Sequence, residues 1–222
     1  MTSRSMAVLL DIDGTLIDST YHHALAWHRA FARVGDTPPM WRLHRAIGMG
    51  GDKLVAAVAG DEVEHRHGDE LRGAWREEYS STRAEVLPLP GAAALVGHLS
   101  QIGMRIGLAS SGDPEFAREA VDLLGIDDQI ELLTTSQDAA DSKPEPDLIE
   151  VTIKRMGGVE AAVFVGDTAY DVEAAQRAGL GCVAVRTGGV GGHELRDAGA
   201  LLVAESLEEL VSADWTAYLS PL

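Results

Sequence analysis

The sequence predicts an α/β protein: a doubly wound parallel sheet with an all-helical insertion after the first strand. Two observations carry this. Short, continuous apolar runs alternate with longer helical patterns, as expected for parallel strands covered on both faces. That rhythm stops between about residues 19 and 86, where only helical patterns occur, separated by Gly35–Pro39, Gly48–Gly51 and Gly60.

In chain order, residues 6–10 (MAVLL) form the first predicted strand, which stops at Asp11. Further apolar runs at 104–108, 130–133, 161–165 and 181–185 supply four more, and 201–203 a sixth. The helices between them have readable ends. Pro90-Gly91 opens a helix over 92–101, and Gly103 closes it. Asp113-Pro114 gives an N-cap and a favoured first helical position before 116–124, with Gly125 as the stop. Helices over 148–156 and 171–178 follow, the latter ending at Gly179. The expected division is a core of 1–17 and 87–222 and a helical domain of 18–86.

With 45% apolar residues, the 222-residue chain has enough to bury a sizeable core. Thirty-five acidic against 18 basic residues give a formal charge of −17, which disfavours nucleic acid and anionic membranes as partners. An anionic substrate would need positive charge supplied locally. The single cysteine, Cys182, lies in a strand-like apolar run and reads as a buried core residue, consistent with a reducing cytoplasm. No apolar stretch approaches the roughly 20 residues of a membrane helix, and a monomer is the default expectation.

Ligands of open α/β sheets bind beyond the carboxyl ends of the strands, and four polar features fall at or near that edge. The first strand ends in Asp11-Ile12-Asp13-Gly14-Thr15-Leu16. The second ends in Ala109-Ser110-Ser111-Gly112, where hydroxyls and free N–H groups could cradle an anion. Lys143-Pro144-Glu145-Pro146-Asp147 places a lysine on a stiffened approach to a helix. The 161–165 strand ends in Gly166-Asp167-Thr168-Ala169-Tyr170-Asp171. Each alone reads equally well as a turn, a helix cap or a solvated lysine. Independent capping does not explain all four at one edge. Converging carboxylates repel unless a cation sits among them, and oxygen-only donors indicate a hard ion, Mg²⁺ before others.

In order and type these features resemble the haloacid dehalogenase superfamily of hydrolases, with Asp18-Ser19 behind the first motif. The likeness spans about residues 6–185. The insertion is similar to the cap of its phosphoglycolate phosphatase and β-phosphoglucomutase-like branch. The resemblance implies a Rossmann-like core, a small phosphate monoester as substrate and an aspartyl-phosphate on Asp11. It makes Asp13 the general acid and base. Mg²⁺ is expected on the side chains of Asp11 and Asp167 and the backbone carbonyl of Asp13. Ser110, Ser111 and Lys143 hold the phosphoryl oxygens, and Asp171 supports Lys143 or a metal-bound water.

Residue types separate the branches. Dehalogenating relatives lack the second acid of the first motif, and here Asp13 is present. Phosphonate-cleaving relatives use a cap lysine, yet Lys53, the only lysine of the insertion, lies in a glycine-rich stretch with no apolar pocket to depress its pKa. Arg45 and Lys53 are candidates for an anionic part of the substrate. His23, four residues before Trp27, stands where mutases of this branch couple cap closure to acid–base chemistry. Those mutases also carry an arginine at the place held here by Gly51, a departure that weakens the mutase reading; a sugar-phosphate mutase is kept as the alternative. An inactive regulatory relative would have lost acids that this chain retains. Trp41, Trp75 and Trp215 read as packing residues, and His65, His67 and His193 as surface.

Overall fold

The structure, a computed structural model, describes residues 5–222. Strand β1 (Met6–Leu10) leads into four helices: α1 (Thr20–Arg33), α2 (Met40–Ala46), α3 (Gly51–Ala59) and α4 (Asp61–Thr82). Next come α5 (Ala92–Gln101), β2 (Arg105–Ala109), α6 (Pro114–Leu124), β3 (Leu132–Thr134) and α7 (Asp147–Met156). The chain finishes with β4 (Ala161–Gly166), α8 (Ala169–Arg177), β5 (Gly181–Val185), α9 (Gly192–Ala198), β6 (Leu202–Ala204), α10 (Leu207–Leu210) and β7 (Ser220–Pro221).

The predicted doubly wound sheet is present, in the order β3-β2-β1-β4-β5-β6 with all six strands parallel. Strand order reverses between β1 and β4, and a crevice opens beyond the strand ends at such a switch point. Strand β7 was not expected. It pairs antiparallel with Ala161 and Ala162, which β5 leaves free because its own pairing starts at Val163.

Alternation along β1 divides its side chains between two cores. Val8 and Leu10 join Leu95, Val96, Leu99 and Val121 of α5 and α6 on one face. Ala7 and Leu9 join Ile149, Val172 and Ala175 of α7 and α8 on the other. Both faces being covered, the strand reads as an unbroken apolar run. A third cluster lies wholly within α1–α4 and centres on Trp27, Phe31, Leu43, Leu54 and Leu71. The helical segment therefore packs largely on itself.

The helix signals read from sequence recur in the structure. The Asp113 side chain accepts the Glu115 N–H at the start of α6, and Gly125 ends it at φ 64°. Four strands differ from expectation by one or two residues, β4 by running on to Gly166. Strand β3 runs to Thr134 rather than stopping at Leu133, because the Thr134 hydroxyl is satisfied inside the core by the Leu108 carbonyl at 3.0 Å. Strands β2 and β6 likewise sit one residue later than expected. Cys182 is buried as expected, and burial pushes its thiol pKa up. Among the described residues no helix is long and apolar enough to cross a membrane.

Candidate active site

Asp11 follows β1 and Asp167 follows β4, the two strands that flank the switch point, and Asp171 lies one turn into α8. Oxygens of these three buried carboxylates lie within 4.8 Å of one another. The Thr15 hydroxyl stands between two of them, 3.2 Å from Asp11 Oδ2 and 3.0 Å from Asp167 Oδ1.

Lys143 is buried among these acids, 1% exposed. Its ammonium pairs with Asp11 Oδ1, lies 2.8 Å from Asp171 Oδ1 and sits 5.2 Å from the centre of the Phe164 ring. Burial alone would lower the Lys143 pKa, but Asp11 and Asp171 outweigh it and hold the amine protonated. The other oxygen of Asp171 accepts the N–H groups of Asp167 and Thr168 at 3.2 and 2.9 Å and the Thr168 hydroxyl at 2.7 Å. Thr168 in turn caps α8 through the Asp171 N–H, a reciprocal capping box. One carboxylate thus fixes both the lysine and the loop that carries Asp167.

One cation does not balance three buried acids. Burial pushes the Asp11 carboxyl up to about 7, with Lys143 opposing and Asp171 and Asp13 adding to the rise. Burial, then Asp171 and Asp11, drive Asp167 well above its ordinary range. Asp167 Oδ2 is buried with no hydrogen-bond partner among the described residues. An orphaned oxygen, a deficit of positive charge and donors that are all oxygen fit a hard divalent cation.

Two glycines leave room at that oxygen. A Cβ on Gly14 would stand 2.5 Å from Asp167 Oδ2, and one on Gly188 only 1.6 Å from it. The Gly188 segment is held over the site by the Thr187 hydroxyl, which donates to the Gly14 carbonyl at 2.5 Å, and by His44 Nε2, 3.0 Å from the Gly188 carbonyl. Gly188→Ala is expected to displace Asp167 and destabilise the fold by roughly 1–3 kcal/mol, the usual effect of overpacking. Chemical denaturation measures this. A variant as stable as the parent would show that the crowding is relieved at no cost.

Asp13 has a different setting. Its Oδ1 accepts the Ser19 hydroxyl at 2.6 Å and lies 2.9 Å from His23 Nε2. Burial pushes this carboxyl up, but His23, the Ser19 hydroxyl and Lys143 together outweigh it and hold the group below its ordinary pKa. The His23 ring stacks on Tyr79 at 4.0 Å and on Trp75 at 5.6 Å, so an aromatic wall from α1 and α4 fixes the partner of Asp13.

A small cavity, about 60 Å³, lies over these acids, lined by Asp11, Asp13, His23, Gly48, Met49, Ser111 and neighbouring residues. Ser110, Lys143 and Asp167 are each 1% exposed and stand behind its wall. The Ser110 hydroxyl accepts the Gly112 N–H at 3.0 Å, leaving its own proton without an acceptor among the described residues.

The structure does not bring Arg45 or Lys53 to this cavity. Arg45 forms a two-pronged ion pair with Glu194 of α9, and its carbonyl accepts the Tyr170 hydroxyl at 2.9 Å. Lys53 lies in the first turn of α3 rather than in a loop, and donates to the Ser142 carbonyl at 2.8 Å. Both side chains tie the helical insertion to the core. The sequence showed their charge but could not show these nearer acceptors. Trp41 differs from expectation at 64% exposed, while Trp75 packs against Trp27 and Tyr79 as expected and also forms part of the cavity wall. Trp215 is buried as expected. Gly188 went unnoticed in the sequence because a glycine near a predicted strand end carries no chemical signal of its own.

Comparison with known proteins agrees with this geometry. The chain is 29% identical over 178 residues to a phosphoglycolate phosphatase of Cereibacter sphaeroides, covering 78% of this chain and 81% of that one. It is 26% identical over 212 residues to a phosphoglycolate phosphatase of Pseudomonas syringae pv. tomato, covering 92% and 78%. The crystal structure of a hydrolase from Pseudomonas syringae superposes with a TM-score of 0.86 at 29% identity, over 93% of this chain and 96% of that one. Residues 6–179 match the haloacid dehalogenase-like hydrolases, so the chain belongs to that family of enzymes.

Proposed function

We propose that this hydrolase is a Mg²⁺-dependent phosphatase acting on small phosphate monoesters, with Asp11 as nucleophile. One observation carries the reading: Asp11 and Asp167, from strands flanking the switch point, share a buried site with oxygens within 4.8 Å and Lys143 between Asp11 and Asp171. The names of the relatives, phosphatases of a small phosphate ester, support it. The division into a core of 1–17 and 87–222 and a helical cap of 18–86 is part of the same proposal. So is a monomeric, cytoplasmic protein with neither nucleic acid nor membrane as partner.

A carboxylate oxygen of Asp11 attacks phosphorus and the ester P–O bond breaks, leaving the phosphoryl group on Asp11. The leaving alkoxide takes a proton from Asp13. Asp13 is ionised as it stands, but a phosphate dianion beside it raises its proton affinity, and its second oxygen faces the cavity near Gly112. Asp13 then draws a proton from the water that attacks the aspartyl-phosphate, and Asp11 is freed as inorganic phosphate departs. Ser110, with its uncommitted proton, Ser111 and Lys143 hold the phosphoryl oxygens, while Asp171 keeps Lys143 in place. Asp11, Asp167 and the Asp13 main-chain carbonyl would hold Mg²⁺, which when bound would supply charge neutralisation for the transferring group, where phosphoryl-transfer catalysis chiefly lies.

Release of inorganic phosphate from p-nitrophenyl phosphate tests this. It is expected with Mg²⁺ and not after chelation; a rate unaffected by chelation would overturn the metal's role. A mutase remains the alternative because His23 does contact Asp13. It would return an isomerised sugar phosphate rather than free phosphate.

A further inference from the structure

The chemistry above leaves a second cavity, beside the one over Asp11, unused. It measures about 460 Å³, within the roughly 300–1,000 Å³ of small-molecule sites. It lies between α4 and the loops 111–113 and 136–142, and shares Gly51, Trp75 and Ser111 with the cavity over Asp11. An ester seated on Asp11 would extend its alcohol portion through this common wall.

Two features of the wall describe that portion. Trp75 and Ser111 line the cavity, and among the described residues Trp75 Nε1 and Ser111 Oγ are buried without hydrogen-bond partners, so a polar ligand that reached them would satisfy an N–H donor and a hydroxyl. The charges, by contrast, are already spent. Arg72 is bound by Glu64 and Asp69, and Arg76 by Asp113 and Glu115. Asp52, Asp113 and Asp141 also line the cavity. Among the described residues lining this wall no cation is left for a second anionic group, and in a chain of net charge −17 the surrounding field repels one.

Resting on the phosphatase reading, we infer that the substrate is the phosphomonoester of a neutral, polyhydroxylated alcohol of sugar size, seated in this second cavity. Hydroxyl groups suit both halves of the wall, donating to its carboxylates and accepting from the Trp75 indole. An anionic alcohol such as glycolate meets acids and no free cation, and a bisphosphate meets them with more charge.

The test is kcat/KM for phosphate release, with Mg²⁺, from glucose 6-phosphate, ribose 5-phosphate, 2-phosphoglycolate, fructose 1,6-bisphosphate and p-nitrophenyl phosphate. The better of the two sugar monophosphates is expected to exceed phosphoglycolate and the bisphosphate at least tenfold. Equal or better turnover of either anionic ester overturns the inference while the phosphatase reading stands. No phosphate from any ester, p-nitrophenyl phosphate included, removes both. Two variants probe the seating. Trp75→Phe keeps an aromatic face, though a smaller one, and loses the indole N–H, and is expected to raise KM for the sugar ester about fivefold. Gly73→Lys adds a free cation to the wall at a position where a Cβ meets nothing within 4 Å, and is expected to shift the preference at least fivefold toward phosphoglycolate. Unchanged preference in both variants would show that the alcohol portion lies elsewhere.

Discussion

Replacing Asp11 by asparagine is expected to lower kcat for phosphate release by roughly 10⁴- to 10⁶-fold, the scale seen when a covalent nucleophile is lost. The amide matches the carboxylate in shape but has no anionic oxygen with which to form the acyl phosphate. The fold should survive. Asp11 sits where burial disfavours its charge, pushing its pKa up to about 7, so a neutral side chain removes a buried anion. Lys143 keeps Asp171 at 2.8 Å as counterion. Asp11→Asn should therefore show a native circular dichroism spectrum with no measurable turnover. Residual activity above a tenth of the parent would rule Asp11 out as nucleophile.

The second large effect is the dependence of stability on Mg²⁺ and pH together. Asp11, raised to about 7, and Asp167, raised well above its ordinary range, hold protons in the folded chain that the unfolded chain has already released. Stability from Asp11 is fully present below the ordinary carboxylate range and is lost as pH rises through about 7, and that from Asp167 is lost in the same direction. Asp13, whose pKa is lowered, acts in the opposite sense: its contribution is present near neutrality and lost as pH falls. A divalent cation binds the ionised carboxylates only, so its stabilisation grows as the metal-free protein weakens. At about 100 times the dissociation constant the gain is about 2.7 kcal/mol. Thermal unfolding with and without Mg²⁺ should show a clear increment at pH 8 and little at pH 5, and none at either pH in Asp167→Asn. An increment that is independent of pH, or retained in that variant, would place the cation away from these acids.

The order of strands and helices was legible because each element advertises itself locally. Asp11 and Asp13 stand out for a related reason: two acids directly after a five-residue apolar strand have no local partner to justify them. Failures of the sequence reading follow one pattern. Arg45 and Lys53 looked available, yet they pair with Glu194 and the Ser142 carbonyl, about 149 and 89 residues away. Trp75 does pack, but a tryptophan on a helix shows no sign of which side also meets a cavity. Thr134 looked as if it lay beyond its strand, since its polarity is visible in the sequence and its buried partner is not.

The sequence by itself determined the parallel sheet, the helical insertion and the type of chemistry, since period, caps and the charge of strand-end residues are properties of contiguous chain. Only the tertiary structure decided which acids share a site, that Lys143 is confined between two of them, and that Gly188 leaves the space beside Asp167. Those are matters of distance across more than a hundred residues. Electrostatic and steric energies depend on separations of a few ångströms, which no spacing along the chain can specify.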